Sequence, residues 1–254
     1  MSDDRAGILG VNVSRFNLEE TVQEFSDAIE NGLKLRVAVT PVNSILWARK
    51  NERLREIYNS ADIVTADGVP VVWASKLLKT PIRGRVTGLD LLPKFAEKAS
   101  KKGYKFFLMG ASEGVAEKLT EVLETRFPGL EIAGTYSPPF AETFSEEENE
   151  KMITMINQSG ADVLWVSLTS PKQDYWIAEH FEQLDVSVAA GVGAAFDVVA
   201  GNITRAPLWM QKSGLEWLFR LINEPGRLSR RYLIEAPLFI PLILKQAVTS
   251  KKQK

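Results

Sequence analysis

The sequence predicts an α/β protein with a Rossmann-like, doubly wound and mostly parallel sheet, followed by a basic amphipathic C-terminal helical appendage. Short apolar runs alternate with amphipathic helical patterns through the first 200 residues. Helical segments between successive strands imply parallel pairing, with helices on both faces of the sheet. The last 50 residues differ in charge, because they contain ten Lys and Arg and three Asp and Glu, against 21 and 29 before them.

The predicted elements follow one another in a regular order. A short strand is predicted at 8–13, and Asn17 with Glu20 has the capping-box spacing that begins a helix ending near Asn31. Further strands are predicted at 36–40, 63–66, 105–109, 131–134, 163–167 and 186–190. The helical patterns between them cover 43–59, 69–78, 89–101, 113–127, 145–158 and 171–183. We therefore expect an α/β domain over 1–204 and an appendage over 205–254.

The composition excludes several classes of protein. The chain has 254 residues and no Cys, so it has no disulfide, thiolate zinc site or cysteine nucleophile, and a reducing, cytoplasmic compartment is expected. A formal net charge of -1 gives no reason to expect a nucleic-acid partner. The N-terminus lacks a signal-peptide pattern. The longest apolar run, 236–244, is shorter than the roughly 20 residues that span a bilayer, so we expect it to lie in an interface without crossing.

The predicted appendage interleaves aromatic and aliphatic side chains with basic ones, which is typical of helices at a membrane surface. Pro225 and Gly226 are expected to divide it into two helices. Arg227, Arg230 and Arg231 fall on one face at α-helical spacing. The alternative is a helical hairpin packed on the protein itself or on another subunit, so a homo-oligomer remains an open alternative.

Candidate site residues come from the architecture, since ligands of open α/β sheets bind beyond the carboxyl ends of the strands. Asp67 ends a predicted strand and Gly68 allows the chain to turn there, so the Asp67 carboxylate is a candidate general base. The alternative is that Asp67 caps the following helix. Arg85 lies in a polar connector, where it contacts a substrate or is an ordinary surface charge.

Two glycine-rich turns are candidate phosphate sites. Gly110 begins a strand-to-helix loop whose backbone N–H groups can face a phosphate, although such loops also serve packing. Gly191 and Gly193 resemble the start of a dinucleotide fingerprint. Phe196 replaces the third small residue of that fingerprint, which argues against a nicotinamide or flavin cofactor.

Lys172 and Gln173 begin a predicted helix after Pro171, where they can bind a phosphate and a base or sugar, or simply start the helix. No metal site is predicted, because His180 is the only histidine and the sequence has no Asp-x-Asp motif. A bound diphosphate must then be neutralised by positive side chains and helix N-termini. No cofactor is expected.

Several ordered motifs resemble those of one enzyme family. They are 65–74 (TADGVPVVWA), 85–88 (RVTG), 137–139 (SPP), 170–173 (SPKQ), 191–197 (GVGAAFD), 205–207 (RAP), 214–220 (GLEWLFR), 224–225 (EP) and 227–232 (RLSRRY). Together they are similar to the TagA/WecG/CpsF glycosyltransferases, glycosyltransferase family 26. The resemblance implies an inverting enzyme, peripheral at the inner face of the cell membrane, and the missing Asp-x-Asp motif predicts that it works without metal. Its substrates would be a UDP-sugar donor of the N-acetylmannosamine type and a polyprenyl-diphosphate-linked N-acetylglucosamine, for wall teichoic acid or exopolysaccharide synthesis.

The resemblance also assigns roles. It implies that 1–204 is the catalytic domain and that 205–254 completes the active site, with Asp67 as the base and Arg85 beside the substrate. The candidate substrate-binding residues are Thr40, Asn43, Gly68, Gly110, Lys172, Gln173, Gly191, Gly193, Asp197, Arg220, Arg227 and Arg230. Two alternative functions remain, a membrane-recruited adaptor without catalysis and a nucleotide-cofactor oxidoreductase.

Overall fold

The computed structural model describes residues 4–252, apart from the side chains of residues 212, 227, 251 and 252. It begins with an antiparallel hairpin of β1 (Arg5–Ile8) and β2 (Val11–Ser14). The predicted single strand at 8–13 is therefore wrong. Leu9 and Gly10 both have positive φ angles and form a two-residue turn, which the apolar character of Leu9 conceals in the sequence.

The remaining elements alternate as predicted. The helices of this part are α1 (Leu18–Glu30), α2 (Val42–Lys50), α3 (Glu52–Asn59), α4 (Val69–Leu77), α5 (Gly88–Lys102), α6 (Val115–Arg126), α7 (Glu146–Ser159), α8 (Lys172–His180) and α9 (Ala195–Val199). The strands are β3 (Leu35–Pro41), β4 (Ile63–Asp67), β5 (Lys105–Gly110), β6 (Glu131–Tyr136), β7 (Val163–Ser167) and β8 (Val188–Gly191). The predicted helix at 43–59 is two helices, because the Asn51 side chain caps α3 by accepting a hydrogen bond from the Leu54 N–H.

The six strands β3 to β8 form one parallel sheet in the order β4-β3-β8-β7-β5-β6. The predicted α/β fold is therefore confirmed. The carboxyl ends of β4, β3 and β8 are neighbours at one edge of the sheet. Residues that follow these three strands are far apart in the sequence, yet the topology brings them to one place.

The core lies on both faces of the sheet. Val163 and Trp165 of β7 join the cluster under α1, α5, α6 and α9, whereas Leu164 and Val166 join the cluster on the opposite face. This alternation follows from the two-residue period of a strand. All four side chains are fully buried, so the sheet is a rigid support for the loops at its carboxyl edge.

Short helices make up the C-terminal segment, residues 205–252. They are α10 (Leu208–Ser213), α11 (Glu216–Asn223), α12 (Pro225–Ser229), a π-helical turn (Arg230–Glu235), a 3₁₀ turn (Ala236–Leu238) and α13 (Phe239–Lys252). Phe239 and Ile243 of α13 pack into the core. Gln246 accepts a hydrogen bond from the Leu9 N–H (2.9 Å) and donates one to the Gly7 carbonyl (2.8 Å). The C-terminal segment is therefore docked on the α/β part of the chain.

The described residues include one helical stretch, Arg230–Ser250, that is long and apolar enough to cross a membrane by length and composition. It has 21 residues and a mean hydropathy of 1.3. The apolar run at 236–244 lies inside this longer helix, and the expectation that it lies in an interface without crossing stays a prediction. Only 17% of the most apolar part of this stretch is buried.

Candidate active site

A cavity of about 820 Å³ lies at the carboxyl ends of β3, β4 and β8, and the C-terminal segment forms its outer wall. Asp67, Asn43 and Gly191 line its inner wall, and Arg220 and Tyr232 line the wall that the C-terminal segment contributes. The cavity therefore brings Asn43 and Asp67 beside residues of the C-terminal segment that lie more than 100 residues later in the sequence. Its position is the one that the topology of an open α/β sheet predicts for a ligand.

Asp67 is the last residue of β4 and its side chain lines the cavity. Gly68 has a φ of 110°, which a residue with a side chain rarely adopts, and this turn separates Asp67 from α4. Gly68 itself is the N-cap of α4, and no side chain caps this helix. The alternative that Asp67 is a helix cap is therefore wrong, and the side chains that the structure describes leave its carboxylate without a hydrogen-bond partner.

Desolvation raises the pKa of Asp67 to about 6, although the positive charges of Arg220, Arg231 and Arg85 lower it and the charge of Glu216 raises it further. A carboxylate with this pKa is ionised at neutral pH and is a stronger base than an exposed aspartate. Near neutral pH it can therefore accept a proton from a hydroxyl group bound beside it.

Among the side chains that the structure describes, Arg220 and Arg231 are the cations that the C-terminal segment brings to this cavity. The Nε of each guanidinium is buried and has no hydrogen-bond partner among the described residues. Such a group is costly to leave unpaired, so the two guanidinium groups are a prepared site for an anion. Arg231 also lies over the ring of Trp47, at 5.9 Å from its centroid.

The neighbouring arginines are placed differently. Arg230, a predicted site residue, does not line the cavity: its side chain is 84% exposed and its Nε contacts the Glu235 carboxylate at 3.3 Å. Adjacent residues of a helix face different sides, so Arg231 lines the cavity while Arg230 faces the surface. The side chain of Arg227 lies outside the described residues.

Arg85 lines the cavity within a network of four charged side chains. Its Nη atoms contact Glu216 at 3.0 Å and Asp90 at 3.3 Å. Arg205 contacts the same two carboxylates, Asp90 at 2.7 Å and Glu216 at 3.1 Å. Arg85 and Asp90 belong to the α/β part and Arg205 and Glu216 to the C-terminal segment, so the network holds α11 against the site.

Two predicted site residues, Thr40 and Asn43, lie at the end of β3 and the start of α2. Asn43 lines the cavity, and its Nδ2 donates to the Glu235 carboxylate at 3.3 Å. Trp47 donates its indole N–H to the same carboxylate at 3.4 Å. Thr40 is fully buried beneath the cavity, where its hydroxyl bonds the Ala38 carbonyl, so it supports β3 and does not contact a ligand directly.

Gln173, Gly191 and Gly193 form a second part of the lining. The Oε1 of Gln173 accepts a hydrogen bond from the Gly193 N–H at 3.1 Å. A Cβ at Gly191 would lie 2.7 Å from the Gln173 side chain, so a larger residue there would displace Gln173. The neighbouring Asp174 is buried, accepts a hydrogen bond from Tyr58 at 3.2 Å, and has its pKa raised to about 7 by desolvation.

Besides Thr40 and Arg230, three further predicted residues lie away from the cavity lining. Gly110 has a packing role, since a Cβ there would lie 2.4 Å from the Ser167 carbonyl oxygen. Lys172 donates to the Ala141 carbonyl and lies over the Phe144 ring, and these contacts hold its ammonium group outside the cavity lining. Asp197 is in the first turn of α9, and it too does not reach the cavity. Within residues 4–252, no group of three or more His, Asp or Glu side chains is placed to hold a metal ion.

Comparison with known sequences identifies the family. A profile of the glycosyl transferase WecG/TagA/CpsF family matches residues 6–253. The chain belongs to this family. It is therefore a glycosyltransferase, and the resemblance found in its motifs is confirmed.

Relatives of this glycosyltransferase include a protein of Bacillus spizizenii named N-acetylglucosaminyldiphosphoundecaprenol N-acetyl-beta-D-mannosaminyltransferase. It is 33% identical over 205 residues, which are 81% of this chain and 77% of the relative. A Staphylococcus aureus protein of the same name is 29% identical over 252 residues, 98% of this chain and 96% of the relative.

Sequence reasoning missed three functional candidates. Arg231 was assigned to the basic face but not to the site, and Glu216 and Glu235 were not named. Both glutamates contact residues of the α/β part, Arg85 and Asn43 respectively. One signal was available in the sequence. The last 50 residues contain three acidic residues, and two of these contact the α/β part.

Proposed function

We propose that this glycosyltransferase inverts configuration while it moves an N-acetylmannosamine-type sugar from a UDP-sugar to a polyprenyl-diphosphate-linked N-acetylglucosamine. The relatives' names support this pair of substrates. The observation that carries the mechanism is the Asp67 carboxylate, without a partner among the described side chains and beside two arginines in one cavity. Teichoic acid or exopolysaccharide synthesis is the expected use of the product.

Asp67 acts as the general base in this proposal. An acceptor hydroxyl is a weak nucleophile at neutral pH, so its proton passes to the Asp67 carboxylate as its oxygen attacks the anomeric carbon. The new C–O bond forms on the face opposite the bond to UDP, and inversion follows from this single displacement. The electron pair of the breaking bond leaves with UDP.

Arg220 and Arg231 stabilise the departing diphosphate. Negative charge grows on UDP as the bond breaks, and preorganised guanidinium groups in a desolvated cavity stabilise such charge without metal. Their buried, unpaired Nε groups support this role. Asn43, Gln173, Gly191 and Gly193 are proposed to bind the nucleotide and sugar, because they line the adjoining wall.

The basic and apolar C-terminal segment supports a peripheral position at the cytoplasmic face of the membrane. Anionic headgroups attract basic side chains near the surface by about 1 kcal/mol each. The docking of α13 through Phe239, Ile243 and Gln246 favours a segment that lies along the protein over one that leaves it to span the bilayer.

The test is release of UDP from UDP-N-acetylmannosamine, measured with and without a lipid-linked N-acetylglucosamine diphosphate acceptor. We expect acceptor-dependent UDP release and a product of inverted anomeric configuration, assigned by NMR. Retained configuration would contradict the direct displacement. UDP binding without turnover on any donor would favour the adaptor, and binding of a nicotinamide cofactor but not UDP would favour the oxidoreductase.

A further inference from the structure

The cavity continues from Asp67 into an apolar groove between α4 and the C-terminal segment. Six apolar side chains line this part of the cavity, namely Val69, Trp73 and Leu77 of α4, and Pro237, Ile240 and Leu244 of the C-terminal segment. β4 is the edge strand of the sheet, and α4 follows it directly. The groove therefore lies on one side of Asp67, and the polar wall of β3 and β8 lies on the other.

The two sides of the groove are helical stripes. Val69, Trp73 and Leu77 are spaced four residues apart, so they share one face of α4. On α13, Phe239 and Ile243 are buried in the core and also line the cavity, and the next residues, Ile240 and Leu244, line it with exposed side chains. One face of α13 thus fixes the helix while the adjacent face stays open.

These groove side chains remain exposed although they face a cavity. Trp73 is 62% exposed and Ile240 64% exposed. Exposed apolar side chains that line a concave surface next to a polar site mark a place for an apolar ligand. The groove is continuous with the charged site. Its ligand must therefore carry both an apolar chain and a group that reaches Asp67.

We propose that this groove binds the first isoprene units of the polyprenyl chain of the acceptor. This inference rests on the proposed function, since it assigns a place to the lipid part of that substrate. With the isoprenoid in the groove, the acceptor sugar lies at Asp67 and the nucleotide lies along β3 and β8. The groove then selects acceptors by their lipid as well as by their sugar.

The chain offers a matched pair of substitutions. Ile240 and Ile234 are both isoleucines of the C-terminal segment and both are 64% exposed, but only Ile240 lines the cavity. If the C-terminal segment acts only by inserting apolar side chains into the bilayer, Ile240→Ser and Ile234→Ser should change the preference for a lipid-linked acceptor equally. Trp73→Ala removes the opposite side of the groove and tests it independently of the C-terminal segment.

The experiment compares two soluble acceptors, N-acetylglucosamine diphosphate linked to farnesol or to ethanol, without vesicles or detergent. The wild-type KM is expected to be lower for the farnesyl acceptor by roughly tenfold or more, since burying several carbons in an apolar pocket has an effect of this size. In Ile240→Ser and Trp73→Ala the ratio of the two KM values falls toward one. In Ile234→Ser it stays at the wild-type value.

Each other outcome overturns a definite part of the account. Equal wild-type KM values for the two acceptors, or an equal loss of preference in Ile240→Ser and Ile234→Ser, would overturn the groove and leave the proposed reaction standing. A need for vesicles before any lipid preference is seen would assign these side chains to the bilayer. Absence of turnover with both acceptors in the wild type would overturn the proposed function together with this inference.

Discussion

The α/β part and the C-terminal segment differ in how many of their apolar side chains they bury. Residues 5–204 bury large apolar clusters on both faces of the sheet. Of the fourteen large apolar side chains that stay exposed among the described residues, ten lie in the C-terminal segment. Helix α11 buries none of its residues, yet it supplies Glu216 and Arg220 to the cavity.

The two parts therefore contribute differently. The α/β part supplies most of the buried core, and the C-terminal segment supplies charged side chains to the cavity. The sheet holds Asp67 at a strand end whether or not a substrate is bound, because its neighbours are closely packed. The C-terminal segment is held by few buried side chains and by the network of Arg85, Asp90, Arg205 and Glu216. Its role in the account is to bring positive charge to a base that the α/β part provides.

The largest expected effect is that of Asp67→Asn. Removal of the general base is expected to lower kcat by about 10²–10⁴-fold. UDP affinity, measured by calorimetry, should stay close to that of the wild type, because the amide has the same shape and the diphosphate contacts remain. Near-normal turnover would remove Asp67 from the mechanism.

Arginine substitutions test the contribution of the C-terminal segment. Arg220→Gln and Arg231→Gln should each lower kcat by about 10²-fold, the size found when one donor to a developing anion is removed. Arg230→Gln is the matched control, since that side chain is exposed and an exposed ion pair contributes roughly 1 kcal/mol at most. Equal losses in all three variants would mean that net positive charge matters and the individual positions do not.

The ionised Asp67 carboxylate is also expected to lower the free energy of unfolding. The pKa of Asp67 is raised from 3.8 to about 6, so the folded state prefers the protonated acid. The penalty is absent below pH 3.8, grows as the pH rises through 6, and reaches at most about 3 kcal/mol at neutral pH. Asp67→Asn is therefore expected to raise Tm at pH 7.5 and to have no such effect near pH 3.5. A lower Tm at pH 7.5 would contradict the desolvation that raises the pKa of Asp67.

The smallest expected effect is that of Glu216→Gln, which weakens the ion pair to Arg85 between the two regions and the ion pair to Arg205 within the C-terminal segment. We expect a loss of about 1 kcal/mol, seen as faster amide hydrogen exchange in α11 with little change in the strands of the sheet. Unchanged exchange in α11 would show that the network does not hold this helix.

The sequence predicted most of the α/β part and only some of the site. Period and capping signals are local, so they located the sheet strands and placed Asp67 at a strand end. Asp67, Asn43, Gln173 and Gly191 all follow from the rule that ligands bind at the carboxyl ends of strands, and all four line the cavity.

The errors have definite physical reasons. Arg231 and not Arg230 lines the cavity, because adjacent residues of a helix face different sides and the sequence alone does not show which side meets the protein. The turn at Leu9 was hidden because an apolar residue takes a left-handed conformation there. The partners of Arg85 are 5 and 131 residues away from it, and charge patterning alone does not identify a contact at such separation.

The central claim is that the C-terminal arginines tune the Asp67 base, and the pH profile of kcat/KM tests it most directly. For the wild type we expect kcat/KM to rise as the pH increases through about 6 and then to level off, because the ionised carboxylate is the active form. Arg220 lowers the pKa of Asp67, so Arg220→Gln should move the midpoint to higher pH, whereas Arg230→Gln should leave it in place. A profile without a midpoint near 6, or the same midpoint in wild type and Arg220→Gln, would contradict the account.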